Sequence, residues 1–485
     1  MTAIMFQGTG SDVGKSMLVA GLCRALVRRG MTVRPFKPQN MSNNAAVTAD
    51  GGEIGRAQAL QARACGVPPS VDMNPVLLKP QTDVGAQVVV RGQMRGSASA
   101  KDFFATKAAL MPEVLAAFRK LESECDIVLI EGAGSAAEVN LRDNDIANMG
   151  FAEAADVPVV LIGDIDRGGV IASIVGTHVL IRESERARTV GYLINKFRGD
   201  VSLFTPATAT IAEKTGLPCL GVVPWFADAA KLPAEDAMTL ENRDFSRKGG
   251  RIVVAVPRLS RIANFDDLDP LAAEPDVDVV FVAPGETIPT DATVVILPGS
   301  KATRADLDVI RAEGWDVDIA AHVRRGGYLV GLCAGFQSLG KVVSDPDGIE
   351  GPPGDTPGLG FLDLATSMRG KKVLEEVSGF DVWSQSPIRG YEMHVGETTG
   401  PGLDRPWVTL GNIPVGAIAA DGRVMGCYIH GIFASDGFRK AFLAHVGNPD
   451  RATVAYDALV EATLDKLADH LEAHVDIAAL LKAAR

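Results

Sequence analysis

The sequence predicts an α/β protein of two domains, each built on a mostly parallel sheet with helices on both faces. The chain has 485 residues, which is more than one compact core usually contains. Short apolar runs rich in β-branched residues alternate with helical stretches in both halves. A polar stretch of weak periodicity separates the halves. We therefore assign residues 1–228 to a first domain, 229–250 to a linker and 251–485 to a second domain.

The first half begins with a pattern typical of nucleotide-binding folds. Its predicted strands lie at 4–6, 32–34, 127–130, 157–162, 190–194 and 220–223. Apolar residues at helical spacing, among them Leu18, Leu22 and Leu26, predict a helix that begins near Lys15, and Gly30 ends it. We therefore expect a parallel sheet whose first strand leads through a glycine-rich loop into this helix.

The second half has the same alternation of strands and helices. Its predicted strands lie at 252–256, 277–282, 294–297, 328–330 and 424–429. The stretch 345–360 is rich in Gly, Pro and Asp, and this composition indicates a surface loop. The second domain is therefore also expected to contain a parallel sheet.

Composition and charge exclude several classes of protein. With 47% hydrophobic and 22% charged residues, the chain is neither disordered nor fibrous. No apolar run reaches the ~20 residues that span a bilayer, and the N-terminus lacks the basic start of a signal peptide, so we expect a cytoplasmic protein with no membrane partner. The net charge of −12 disfavours nonspecific binding of nucleic acid. The six cysteines lack the paired spacing of disulfides or zinc sites, and the oligomeric state stays open.

The run 7–16 has the composition of a phosphate-binding loop. Glycines free backbone N–H groups to converge on phosphate, and the N-terminus of the following helix adds positive potential. Lys15 is expected to reach the terminal phosphates of ATP, and Ser16 to offer a magnesium ligand. One more residue separates the outer glycines than in the common pattern, and a glycine-rich turn before a core helix is the alternative. The predicted ATP-binding residues of this run are Gly8, Thr9, Gly10, Asp12, Val13, Gly14, Lys15 and Ser16.

A magnesium site is expected beside this loop. Because Mg²⁺ takes oxygen ligands, an acid should lie at the end of a neighbouring strand. Glu131 directly follows a predicted strand and fits that place, although a solvated strand-end acid is the alternative. Asp50 and Glu53 lie in a loop that could supply a second carboxylate, and we favour Glu53. The sequence thus predicts Mg²⁺ ligands at Ser16, Glu53 and Glu131.

A thiol nucleophile is indicated in the second half. The run 331–335, Gly-Leu-Cys-Ala-Gly, lies between an apolar segment and a helical stretch. A strand, a strained turn and a helix in this order lift a nucleophile out of a sheet, and the helix N-terminus favours the thiolate. We therefore predict Cys333 as the nucleophile. A buried core cysteine beside turn glycines is the alternative.

The nucleophile needs a base and a site for the developing oxyanion. His430 lies at the end of the predicted strand 424–429 and could exchange protons with Cys333, although a core histidine would also fit there. The backbone N–H of Ala334 and the turn containing Gly299 and Ser300 would form the oxyanion hole. An ordinary strand exit is the alternative for that turn.

These motifs resemble two known families. The second half is similar to class I glutamine amidotransferases, with the run 298–300, the Cys333 turn and His430 in that family's order. Many members carry Glu two residues after the histidine, where this chain has Ile432, so we assign a Cys–His dyad. The first half resembles the dethiobiotin-synthetase-like P-loop ATPases, which share the longer glycine loop and the run 131–134. That resemblance implies that Asn195 contacts adenine.

In this order the two halves resemble the cobyric acid synthase family over nearly the whole chain. The runs that carry the resemblance are 37–44, 164–169, 195–200 and 390–396. The resemblance implies ATP, Mg²⁺ and a corrinoid, adenosylcobyrinic acid a,c-diamide, whose b, d, e and g carboxylates become acyl phosphates. Ammonia from glutamine would then displace the phosphate. Candidate corrinoid-binding residues are Lys37, Asn40, Asp166, Arg167 and Arg198.

Two other interpretations stay open. Cobyrinic acid a,c-diamide synthase, or another amidoligase of this architecture, would share both halves, but the runs 37–44 and 195–200 favour the cobyric acid type. A nucleotide-switch protein with a degenerate second domain belongs to a different class. The presence of both Cys333 and His430 counts against it.

Overall fold

The structure, a computed structural model of the chain, describes residues 2–81, 85–235, 247–447 and 454–484. Most of the predicted linker, 236–246, lies outside the described residues. In the described part the chain forms two six-stranded sheets, each flanked by helices, and the predicted α/β class is confirmed.

The first sheet is entirely parallel. In spatial order its strands are Cys219–Pro224, Thr189–Phe197, Val159–Asp164, Thr2–Gly8, Ile127–Ser135 and Val33–Phe36. Side chains along each strand alternate between two cores, because successive residues point to opposite faces of a sheet. Val128 and Ile130 enter one core, whereas Ile127 and Leu129 enter the other. This burial on both faces explains why the strands are continuous apolar runs in the sequence.

Eight α-helices belong to this half within its described residues. They are Lys15–Arg28, Arg56–Ala64, Ala100–Thr106, Met111–Ser123, Met149–Ala154, Val170–Leu180, Glu183–Arg188 and Thr205–Thr215. We call Lys15–Arg28 the phosphate-loop helix and Arg56–Ala64 the bridging helix. A smaller sheet of Gln39–Met41, Val76–Pro80, Gly85–Val90 and Gln93–Ser99 and a hairpin of Ala45–Val47 and Glu53–Gly55 extend toward the second half.

The second sheet is parallel except at one edge. Its strands are Val277–Val282, Ile252–Pro257, Val294–Leu297, Tyr328–Leu332, Val424–Cys427 and the antiparallel Ala417–Ile418. Its helices are Asp269–Ala273, Thr303–Ala312, Trp315–Arg324, Ala334–Ser338 and Asp436–Val446. Among the described residues of this half there are three further antiparallel or mixed sheets. They contain Ile413–Val415, Val408–Leu410, Val373–Asp381, Pro387–His394 and Ile429–His430; Gly354–Pro357, Val342–Asp345, Ala365–Ser367 and Glu397–Thr399; and Ile262–Ala263 with Gly299–Ser300.

Two predictions for the second half need correction. The single strand predicted at 424–429 is two strands, because the chain leaves the parallel sheet after Cys427 and Ile429–His430 pairs instead with Pro387–His394. The stretch 345–360 is not all loop, since Gly354–Pro357 pairs with Val342–Asp345. The Gly-, Pro- and Asp-rich run 346–353 connects these two strands.

The C-terminal helix, Tyr456–His474, packs on the first sheet's side of the molecule although it follows the second half in sequence. Its Leu464, Leu467 and Leu471 share a core with Leu22 of the phosphate-loop helix, and Ile477–Ala483 follows as the last helix. The predicted domain ranges follow chain order, whereas these two helices follow the second half in sequence and pack against the first half. Among the described residues, no helix combines the length and apolar character needed to cross a membrane.

Candidate active sites

The phosphate loop connects the strand Thr2–Gly8 to the phosphate-loop helix. Gly14 has a φ of 91°, and an added Cβ would lie 2.2 Å from the Asn195 side-chain nitrogen, so only glycine fits there. Asn195 donates a hydrogen bond of 2.8 Å to the carbonyl of Val13. Lys15 donates to the carbonyl of Gly134 at 2.9 Å, and burial lowers its pKa. The loop is therefore held in shape by side-chain-to-backbone hydrogen bonds that connect it to the strands Thr189–Phe197 and Ile127–Ser135.

The other predicted loop residues lie at the same turn. Thr9 donates its backbone N–H to Ile162, and Val13 is buried beneath the loop. Asp12 has a φ of 57°, and Gly8 could not carry a Cβ without approaching the Gly10 carbonyl to 2.6 Å. The adenine contact of Asn195 stays a prediction, since the described contact of its amide is with the loop.

Two carboxylates face Ser16 at the expected end of the sheet. The Ser16 hydroxyl donates to Glu131 at 2.8 Å and also to Glu235. Lys37 bridges the pair, with Nζ 2.8 Å from Glu131 Oε1 and 2.5 Å from Glu235 Oε1. Although burial opposes its charge, the two carboxylates raise the pKa of Lys37. Gln61 of the bridging helix donates to the second oxygen of Glu131 at 2.7 Å.

The predicted metal ligand Glu53 is not part of this cluster. It is buried between two lysines, with Lys79 Nζ 2.7 Å from Oε2 and Lys372 on Oε1. Although burial opposes ionisation, Lys372 and Lys79 lower the pKa of Glu53. The structure therefore does not bring Glu53 to Ser16 as the sequence predicts: Lys79 and Lys372 bond its two oxygens, and Glu235 lies beside Ser16 instead. Nothing in the local sequence of Glu235 marks it, because it reaches the site from the predicted linker.

The candidate corrinoid residues separate into two groups. Asp166 pairs with Arg198 at 2.6 Å, Arg198 stacks over Trp225 at 3.8 Å, and Arg167 lies 3.4 Å from Asp12. These side chains form an exposed rim next to the phosphate loop. Asn40, in contrast, is buried and donates to Gln58 of the bridging helix at 3.0 Å, so the structure does not bring it to the rim. Lys37 is likewise buried, between the two carboxylates.

Cys333 lies at the tip of a strained turn between the strand Tyr328–Leu332 and the helix Ala334–Ser338. Its φ of 52° and ψ of −109° are unusual for a residue with a side chain. An added Cβ on Gly335 would lie 2.0 Å from the carbonyl oxygen of Leu297, and one on Gly331 would meet the backbone of Gly335 at 2.6 Å. Both glycines therefore allow the helix to pack closely against the sheet, as the sequence predicts.

His430 contacts Cys333 and is oriented by an acid that the sequence analysis missed. Asp267 Oδ2 lies 2.7 Å from His430 Nδ1, and its other oxygen accepts the N–H of Gly431 at 2.6 Å. Burial disfavours the imidazolium, but Asp267 and Cys333 outweigh it and raise the pKa of His430 to about 10. Asp267 is thus a candidate third member of the predicted dyad. Ile432, at the position where a glutamate was sought, is fully buried in the core.

The turn predicted to form the oxyanion hole lies beside this triad. An added Cβ on Gly299 would be 2.8 Å from His430 Cε1. Ser300 is buried, donates to Asp306 and accepts the N–H of Ala302 at 3.1 Å, so its hydroxyl shapes the turn. The strand exit and the backbone of Ala334 both adjoin Cys333. The role of Gly299, Ser300 and Ala334 in stabilising an oxyanion stays a prediction.

Comparisons with known proteins match each half of the chain to a family. The CobQ/CobB/MinD/ParA nucleotide binding domain family matches residues 4–240, and the CobB/CobQ-like glutamine amidotransferase domain family matches residues 253–438. Among solved structures, a glutamine amidotransferase covers 40% of this chain and 97% of its own, at 18% identity and a TM-score of 0.30. The MinD cell division protein of Aquifex aeolicus covers 47% and 84%, at 12% identity and a TM-score of 0.27.

Relatives of the whole chain are much more similar. The cobyric acid synthase of Bradyrhizobium diazoefficiens is 58% identical over 483 residues, covering 100% of this chain and 99% of its own. That of a Ruegeria species is 58% identical over 480 residues, covering 99% and 98%. Identity at this level over the whole chain leads to one conclusion: the chain belongs to the cobyric acid synthase family.

Proposed function

We propose that this protein is an ATP- and glutamine-dependent carbon–nitrogen ligase that amidates the b, d, e and g carboxylates of adenosylcobyrinic acid a,c-diamide. The observation that carries the proposal is the presence, in one chain of this family, of a phosphate loop with paired acids and of a Cys333–His430–Asp267 triad. A carboxylate does not react with ammonia at neutral pH because its oxygen is a poor leaving group. The two centres supply the activation and the nitrogen.

The phosphate loop would perform the activation. A corrinoid carboxylate oxygen attacks the γ-phosphorus of ATP, ADP leaves, and an acyl phosphate forms. Lys15 and the loop N–H groups stabilise charge on the migrating phosphoryl group. Lys37, which now bonds Glu131 and Glu235, would bind phosphate or carboxylate oxygens once these two acids bind the metal ion.

Ser16, Glu131 and Glu235 would hold Mg²⁺. Carboxylate oxygens of Glu131 and Glu235 both lie within hydrogen-bonding distance of the Ser16 hydroxyl. The positively charged Lys37 already bonds both carboxylates, so this group of oxygen ligands suits a cation. One or two carboxylates with phosphate oxygens and water are the usual ligands of Mg²⁺. The ion, when bound, would neutralise charge on the phosphates.

The triad would release the nitrogen. The Cys333 thiolate attacks the side-chain amide carbon of glutamine, and the His430 imidazolium donates a proton to the departing ammonia. Water then hydrolyses the thioester to glutamate, with His430 as base. Ammonia displaces phosphate from the corrinoid acyl phosphate, which completes one amide. Asp166, Arg167 and Arg198, on the rim of the phosphate loop, are proposed to contact the corrinoid.

Two substitutions test this division of labour. Cys333→Ala should abolish amidation from glutamine while leaving amidation from added ammonium intact, because activation does not use the thiol. Lys15→Ala should abolish amidation from both nitrogen sources. Loss of both activities in a folded Cys333→Ala protein, or full amidation by Lys15→Ala, would contradict the proposal. Corrinoid products are identified and their new amides counted by mass spectrometry.

A further inference from the structure

The bridging helix, Arg56–Ala64, contacts both candidate active sites. Toward its C-terminal end, Gln61 donates to Glu131 at 2.7 Å and to the carbonyl of Ser16 at 3.3 Å. At its N-terminal end, Arg56 reaches the second half of the chain. Nine residues of α-helix span only about 13 Å, so one rigid element touches the acid of the phosphate site and the surroundings of the triad.

Arg56 holds two residues that border the triad. Its Nε lies 3.0 Å from Asp266 Oδ2, and its terminal nitrogen donates to the Tyr391 hydroxyl. Asp266 directly precedes Asp267, the acid that orients His430. Tyr391 stacks on the His430 ring, with centroids 5.3 Å apart and planes inclined by 22°. The arginine therefore fixes both the segment that carries the orienting acid and the ring that covers the histidine.

The N-terminal end of the bridging helix is closely packed. An added Cβ on Gly55, which precedes it, would lie 2.3 Å from the Asn40 side-chain nitrogen and 2.8 Å from Gln58 Oε1. The same nitrogen of Arg56 that reaches Tyr391 also donates to the carbonyl of Ala45 at 2.8 Å. Close-packed interiors transmit small displacements because no gap absorbs them.

We propose that Arg56 is a positioning residue for the glutaminase triad, and that the bridging helix carries the state of the phosphate site to it. The inference rests on the proposed function. Binding of ATP and a metal ion must change the bonds of Glu131, because its oxygens now bond Ser16, Lys37 and Gln61. A shift of Gln61 moves Arg56, and with it Asp266 and Tyr391. Glutamine is then hydrolysed fastest when the carboxylate can be activated.

The same helix supplies a matched control. Arg63 also forms ion pairs with another part of the chain, at 2.7 Å with Glu461 and 3.2 Å with Asp457 of the C-terminal helix. Its side chain is 32% exposed, and its two partners belong to the C-terminal helix rather than to either site. Replacing Arg63 shows how much glutaminase activity falls when the helix loses a positive charge and its ion pairs without losing the contacts to Asp266 and Tyr391.

The test compares wild type, Arg56→Ala, Arg56→Lys and Arg63→Ala. Glutamate release is measured with varied glutamine, with and without ATP, Mg²⁺ and the corrinoid diamide, and amidation from ammonium is measured in parallel. In Arg56→Ala we expect kcat for glutamine hydrolysis to fall about tenfold or more, KM to stay within about threefold, and stimulation by ATP to disappear. Arg56→Lys should recover part of kcat, since it keeps the charge without the planar fork. Arg63→Ala should stay within about twofold of wild type.

Several results would overturn the inference. They are unchanged glutaminase activity in Arg56→Ala, an equal loss in Arg63→Ala, a parallel loss of ammonium-dependent amidation, or a wild-type glutaminase that ATP does not stimulate. If instead the wild-type protein amidates no corrinoid from either nitrogen source, the proposed function itself fails. The ammonium arm thus separates the two failures.

Discussion

Cys333 and His430 are each held in place by the residues packed around them. The cysteine occupies a backbone conformation with φ of 52°, and the histidine is buried against Asp267. Such strain persists where packing over-determines it and is typical of active sites. The nucleophile was predictable because its flanking glycines are adjacent in sequence. Asp267 was not, because it lies 163 residues from His430 and neighbours two other acids of the same run.

We predict that Asp267→Asn impairs glutamine hydrolysis. An amide in this place would stabilise neither the imidazolium nor its orientation, and kcat for glutamate release should fall by about two orders of magnitude or more. Amidation from ammonium should change less than about twofold, since the phosphate site is separate. Steady-state assays with each nitrogen source would check this. Full glutaminase activity in the variant would remove Asp267 from the triad.

The raised pKa of His430 also predicts a pH-dependent contribution to stability. The folded protein holds the proton with a pKa of about 10, whereas an unfolded histidine has a pKa near about 6.5. The stabilisation is therefore fully present below about pH 6.5 and is lost as the pH rises toward about 10. The destabilisation caused by His430→Gln should be larger at about pH 6 than at about pH 9.5. Urea unfolding midpoints of both proteins at the two pH values measure it, and an equal effect at both would contradict the assignment.

Among the structural elements, the phosphate loop was predictable because strand, glycines, Lys15 and Ser16 follow one another along the chain. The second carboxylate of the predicted magnesium site was not predictable. Glu53 and Glu235 are distinguished only by the residues that contact them in the folded chain. Lys372 of the second half bonds Glu53, whereas Glu235 of the predicted linker bonds Ser16, 219 residues away in the chain. Local sequence patterns do not encode contacts of this kind.

Gly14→Ala should destabilise the phosphate loop. The substitution places a side chain at a φ of 91° and a Cβ 2.2 Å from the Asn195 side-chain nitrogen, at a cost of about 1–3 kcal/mol. Thermal unfolding without nucleotide should show a lower midpoint, and ATP-dependent amidation should fall with both nitrogen sources.

Gly10→Ala is the matched control in the same loop. Its added Cβ would have only Val13 within 4 Å, at 3.9 Å, so its midpoint should stay close to that of wild type. Equal thermal unfolding midpoints for Gly14→Ala and Gly10→Ala would show that glycine is not required at the positive φ of position 14.

Across the whole molecule, the chain returns to its first sheet after completing the second. The C-terminal helix packs on the phosphate-loop helix, and Gly21 there could not carry a Cβ without meeting Leu467 and Leu471. We predict that Leu467→Ala destabilises the protein by about 2–5 kcal/mol, because it leaves a cavity in this core. Urea unfolding would measure the change.

Lys466→Ala, on the exposed side of the same helix, provides the comparison. Its ammonium group lies 3.4 Å from Asp228 and the side chain is 62% exposed, so the effect should stay within about 0.5 kcal/mol. If Leu467→Ala were equally mild, the C-terminal helix would not be part of the first core.

The central claim is that the two centres of one molecule cooperate. The phosphate site activates a corrinoid carboxylate, and the triad releases the ammonia that reacts with it. The most direct measurement is mass spectrometry of the corrinoid diamide after incubation with the protein, ATP, Mg²⁺ and glutamine that carries heavy nitrogen in its side-chain amide. Each newly formed amide should contain the label, and one glutamate should be released for each amide. Consumption of ATP with no glutamate release and no labelled amide would contradict the account.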